Sequence, residues 1–117
     1  MPLCLSLSSL AQDDMAVIAA WSLEHFGEQA AERYKILLGQ AFVDLKDNPE
    51  RPGTAARPEL YADARTYHIS FSRYRVAAPR VQKPRHLLLY RVRQNTIEVA
   101  RVLHDSSDLK QHVPAGI

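Results

Sequence analysis

Two stretches of helical periodicity meet at a single glycine, and no other feature of this chain restricts its possible folds so strongly. Ala11, Met15, Ile18, Ser22 and Phe26 recur at three- and four-residue steps, with Trp21 beside them. One face is therefore mostly apolar over four turns. Gly27 follows, placed to end that helix by taking the left-handed conformation after the last turn. A second helix starts at Glu28, with Ala31, Tyr34, Leu38, Ala41 and Leu45 as its stripe. It ends at Asn48-Pro49, because a residue before proline avoids the helical region. A break of one or two residues between amphipathic helices makes an antiparallel helical hairpin. Ser8 and Ser9 are good N-caps for the first helix, and Asp13 and Asp14 suit its positive end.

The rest reads as strands and loops. Leu3 to Leu7 can form an opening strand. The stretch PERPGTAARPEL is loop by its three prolines and one glycine. From Arg65 to Arg73, Tyr67, Ile69 and Phe71 alternate with His68, Ser70 and Ser72, as in a strand. Tyr74 to Pro84 is a long basic connection containing Pro79 and Pro84. Two strands follow, 86–93 and 96–103, joined at Gln94-Asn95, where asparagine tolerates the positive φ of a tight hairpin turn. Ser106 to Val113 can close the chain with a helical turn. The order β-α-α-β-β-β predicts an α+β fold in one domain, residues 1–117: a helical hairpin on one face of a small, mainly antiparallel, three- to four-stranded sheet. Such a sheet alternates apolar and polar residues, and Leu87-Leu88-Leu89 breaks the rule. Adjacent leucines point to opposite faces. The second apolar face then needs cover, either from the chain's own loops or from a partner segment.

The chain has 117 residues, 46% hydrophobic and 24% charged, which is enough for one domain with a real core. Its longest apolar runs are too short to span a membrane. MPLCLSLSSL lacks a basic n-region, so no signal peptide is expected and the cytoplasm is the default location. The single cysteine, Cys4, cannot form an intrachain disulfide and reads as a small core or edge residue. The net charge of +2 is unevenly placed. Residues 1–58 hold five basic residues against eight acidic, and residues 59–117 hold ten against five. Arg65 to Arg93 contains eight basic residues and no acidic one, with Tyr67, Phe71, Tyr74 and Tyr90 among them. That field suits an anionic partner, nucleic acid or an acidic peptide, unless it is only a solvated face. The histidines show no metal-ligand spacing, and the four glycines make no phosphate loop, so neither metal nor cofactor is expected.

The pieces LSSLAQDDMAVIAAWSLEHFG, QAAERY, DNP with Gly53 following, RHLLLYRV and IEVARVLHDSSDLKQHV together resemble the RelE/ParE superfamily of bacterial toxins, in particular its ParE branch. They stand in the family's order and cover nearly the whole chain. The arrangement from Phe26 to Tyr34, with Tyr90–Val92 and Arg101–His104, carries most of the likeness. The 74–84 connection departs from it, because family members turn directly from the second strand into the third. The resemblance implies the toxin of a type II toxin–antitoxin system, often a plasmid-stabilisation device, that poisons DNA gyrase by binding. It also implies neutralisation by a cognate ParD-like antitoxin whose tail folds as it wraps the toxin. No direct sequence-specific nucleic-acid binding by the toxin alone is expected, and no membrane partner.

The RelE branch shares this fold but cleaves messenger RNA on the ribosome, which needs an acid–base pair and cations for the phosphate. On the resemblance, Leu87 falls where such nucleases carry an arginine, and Asp105-Ser106 replaces the closing His-Tyr pair. Arg85 and His86 remain possible substitutes. No catalytic residue is therefore expected, and the residues expected to meet a partner are Trp21, Arg65, Arg85, Leu87, Leu89, Arg91, Arg101 and His104. Several have a plainer reading. Trp21, Phe26 and Tyr34 could be core, Arg101 could be a structural ion pair, and His104 could anchor the C-terminal turn rather than form a couple with Asp105 or Asp108.

Overall fold

The computed structural model describes residues 3–113. Strand β1 (Cys4–Leu7) leads into helices α1 (Ser9–Phe26) and α2 (Glu28–Asp47). Strands β2 (Thr54–Ala56) and β3 (Arg65–His68), a 3₁₀ helix (Ile69–Arg75), strands β4 (His86–Arg93) and β5 (Thr96–His104), and a short 3₁₀ turn (Leu109–His112) complete it. The helical hairpin forms as its sequence dictates. The Ser8 hydroxyl accepts the Ala11 N–H at 2.9 Å, capping α1. Gly27 stands at φ 90°, ψ 176°, which is not the left-handed helical conformation expected. This extended region of positive φ is open almost only to glycine, and it lets one residue end α1 and start α2. Asn48 is extended before Pro49, as expected. No helix among the described residues is long and apolar enough to cross a membrane.

The sheet has five strands in the order β1-β5-β4-β3-β2, with β1 parallel to β5 and the other pairs antiparallel. The expected three to four strands thus become five, because Thr54–Ala56, inside the proline-rich loop, pairs with β3. Gln94 and Asn95 both have positive φ, which makes the tight turn between β4 and β5. A bulge lies between Leu89 and Tyr90, where Ala100 is the extra residue on β5.

The strand expected over Arg65–Arg73 ends at His68. His68 Nδ1 accepts the Ser70 N–H at 3.2 Å, and this local bond starts a turn in place of a ladder. Ser72 then donates to Asp44 Oδ2 at 2.6 Å, and Arg75 Nε donates to Asp44 Oδ1 at 2.7 Å. Asp44 lies in α2 with its side chain fully buried, also bonded to Gln40 and paired with Arg51. Burial pulls its carboxyl up, but the bonds from Ser72, Gln40 and Arg75 and the Arg51 charge hold it below its ordinary value. The segment after His68 is thereby drawn onto α2.

Leu37, Leu38, Ala41, Phe42 and Leu45 of α2 and Ala11 of α1 form the main core with Tyr67, Ile69, Leu88, Tyr90, Ile97, Val99 and Val102. Leu88 faces the helices. Leu89 faces the other way and is fully buried with Tyr61, Ala64 and Ala100, covered further by Leu60 and Val113. The middle of the second apolar face is therefore sealed by the chain's own 57–64 loop and C-terminal turn. Leu89 belongs to a satellite core, and the expectation that it meets a partner is corrected on that ground.

Candidate functional site

The helices leave a groove beside the sheet. Val17, Ile18, Trp21, Ser22 and Phe26 of α1 and Ala30, Arg33 and Tyr34 of α2 form one wall. The strap between the 3₁₀ helix and β4 forms the other, through Arg80, Val81, Gln82, Lys83 and Arg85. His86 and His104 lie at its floor, and its volume is about 740 Å³. Trp21 and Phe26 are 52% and 66% exposed, so they are wall and not core. The lining carries Arg33, Arg80, Lys83 and Arg85 and no carboxylate. Arg80 Nε is buried there without a hydrogen-bond partner.

A polar cluster stands at the floor, assembled by strand register. His86 of β4 lies opposite His104 of β5, their rings edge to face at 5.4 Å. Tyr34 reaches from α2, accepts the Arg85 N–H at 3.2 Å and is hydrogen-bonded to His86 Nδ1. While it accepts from Arg85, the tyrosine hydroxyl still has its own proton to donate to Nδ1 of a neutral His86 protonated on Nε2. Asp105 receives Arg85 Nε at 3.0 Å, Arg85 Nη2 at 2.8 Å and His68 Nε2 at 3.0 Å. His68 Nδ1 and His104 Nδ1 meet the hydroxyls of Ser70 and Ser106, each at 2.7 Å.

Burial, reinforced by the nearby His104, pushes the His86 imidazole down to about 4. Burial also pushes the Tyr34 phenol up to about 12, against the Arg85 N–H that draws it down. The bonds from Arg85 and His68 hold Asp105 well below the usual carboxylate range. At neutral pH the floor therefore has a neutral imidazole and an intact phenol, while the Asp105 carboxylate, outside the groove lining, is closed by Arg85 and His68.

The expected partner residues divide. Trp21, Arg85 and His104 come together at the groove. Arg65 lies toward β2, donating to Thr54 Oγ1 at 2.8 Å. Arg91 pairs with Glu98 at 2.7 Å. Leu87, partly buried, pairs with Leu103 in the sheet. Arg101 makes a two-pronged ion pair with Asp14, 2.8 Å on each side, and donates to the His112 carbonyl. It is thus a strut between α1, β5 and the C-terminal turn. His68, Tyr34 and Asp105 were not among the expected site residues. Their meeting depends on register and on the helix-to-sheet distance, which spacing along the chain does not give.

Residues 5–109 match the family model described as the ParE toxin of type II toxin–antitoxin systems, parDE. Among solved structures, a chain of the chromosomal ParDE system from P. aeruginosa superposes with a TM-score of 0.64 at 16% identity, covering 87% of this chain and 95% of its own. A chain of the RelBE2 toxin–antitoxin complex from Mycobacterium tuberculosis gives 0.56 at 18% identity, with 89% and 99% covered. A copper-bound mutant toxin from Helicobacter pylori gives 0.55 at 21%, with 89% and 96% covered. No curated protein sequence matches the chain. At these identities the superpositions establish the RelE/ParE-like fold alone. The family model spans nearly the whole chain, and with it the chain belongs to the ParE toxin family of type II toxin–antitoxin systems.

Proposed function

We propose that the protein inhibits growth by binding and poisoning DNA gyrase in the cytoplasm, and that a cognate ParD-like antitoxin neutralises it. The observation that carries the binding reading is the state of Arg85. The arginine next to His86 in the chain is closed in a two-pronged bond on Asp105, which also takes His68. A nuclease needs such a cation free for the phosphate in its transition state. The groove supports the antitoxin half of the reading, since its apolar walls and carboxylate-free cationic rim suit an acidic amphipathic segment. A supercoiling and DNA-cleavage assay with purified gyrase tests the target. The expected result is loss of supercoiling with accumulated cleaved DNA; an unaffected gyrase at excess toxin refutes it.

The neutral His86, bonded to Tyr34 and edge-on to His104 at the floor of a basic groove, favours a second reading as a ribosome-dependent endonuclease. That reading predicts codon-linked cuts in transcripts on induction, abolished by His86→Ala while the fold is retained.

A further inference from the structure

The 3₁₀ helix and the strap after it present a second surface, which shares Arg80 and Lys83 with the groove wall. Its aromatic rings lie outside the groove and are not used by the gyrase and antitoxin readings. Residues i and i+3 of a 3₁₀ helix eclipse, with a rise of about 2 Å per residue. Phe71 and Tyr74 therefore stand on one side of it, roughly 6 Å apart along the axis. Both rings are open to solvent, 55% and 75% exposed. One side of Phe71 rests on Gly53, where φ is +97° and any Cβ would collide with the ring.

The Arg73 guanidinium lies 4.8 Å from the Tyr74 ring centre and that of Arg80 5.7 Å. Arg75 and Arg85 are neutralised by Asp44 and Asp105. Arg73, Arg80 and Lys83 meet no carboxylate among the described residues. The surface is held in place from beneath by Ser72 and Arg75 on Asp44, and the strap is tied to it by Arg73 Nε on the Val81 carbonyl.

We propose that Phe71 and Tyr74, with Arg73, Arg80 and Lys83, form a stacking platform for single-stranded nucleic acid. Two unpaired bases lie on the rings, the one on Tyr74 taking the place of a guanidinium that stands over it, and the backbone phosphates face the cations. An acidic peptide would satisfy the cations and leave two aromatic rings in water, and a duplex hides its base faces. Because every base has a π-face, such a platform reads no sequence. This agrees with the expectation that the toxin alone makes no sequence-specific nucleic-acid contact, and it does not depend on gyrase being the target.

Fluorescence anisotropy of the full chain with a dye-labelled oligo(dT) of about 15 nucleotides tests the platform. The expected result is saturable binding at about 50 mM salt that weakens steeply by about 200 mM. Phe71→Ala and Tyr74→Ala are each expected to weaken it on the order of tenfold. An abasic strand of the same length and a duplex are expected to bind correspondingly less well. Absence of binding at low salt overturns the proposal. So does unchanged affinity in Tyr74→Ala, whose side chain is too exposed to threaten the fold, or competition by polyglutamate or the abasic strand as strong as by oligo(dT).

Discussion

Burial acts in opposite directions on two bonded neighbours at the groove floor. It moves the His86 imidazole down to about 4 and the Tyr34 phenol up to about 12, favouring the uncharged form of each. For His86 this has a consequence for stability. Below the ordinary histidine value near 6.5 the unfolded chain protonates this imidazole while the folded chain does not. The unfolded state then binds more protons, so stability falls as the solution is acidified from about 6.5 to about 4. His86→Asn is expected to flatten that part of the profile, measured as urea midpoints across this range; an unchanged slope would place the titration elsewhere. The adjacent leucines make a similar contrast. Leu89 is fully buried, so Leu89→Ala is expected to cost about 2–5 kcal/mol in urea denaturation. Leu87→Ala, at a partly exposed site, is expected to cost clearly less.

At the scale of elements, the parts legible in the sequence are those fixed by neighbours a few residues away. The hairpin of helices, the Ser8 cap, the stop before Pro49 and the β4–β5 turn follow from local pattern and turn chemistry. Strand β2 escaped because three residues in a proline-rich loop carry no period and pair only once β3 is beside them. The end of β3 escaped because Asp44, 28 residues before Ser72, claims its hydroxyl. The histidine cluster escaped for the same reason, since His86 and His104 meet only through register. Two substitutions separate local from distant control. Gly27→Ala meets no atom within 4 Å of its new Cβ, so its cost is backbone strain alone, about 1–3 kcal/mol. Asp44→Ala leaves Ser72, Arg75 and Arg51 without their acceptor and is expected to cost about 3–5 kcal/mol. Hydrogen exchange is expected to show protection lost first over Ile69–Arg75 in Asp44→Ala, and no such localised loss in Gly27→Ala.

On the whole molecule, folding sorts the charge that the sequence distributes unevenly. Arg65, Arg75, Arg85, Arg91 and Arg101 close on Glu50, Asp44, Asp105, Glu98 and Asp14. Arg33 and Lys83 remain unpaired among the described residues, on opposite walls of a groove that contains no carboxylate. Unpaired cations facing each other across an apolar trough steer an acidic partner before contact, and they act more on the rate of encounter than on the lifetime of the complex. Reversing both, Arg33→Glu with Lys83→Glu, is therefore expected to slow association with the cognate antitoxin by about tenfold or more at low ionic strength. The dissociation rate should change far less. The deficit should shrink as salt approaches about 1 M, where the screening length falls to roughly 3 Å. Stopped-flow association across a salt series reads each of these quantities. A variant that associates at the original rate, or one slowed equally at every salt concentration, would mean that the antitoxin approaches by another face.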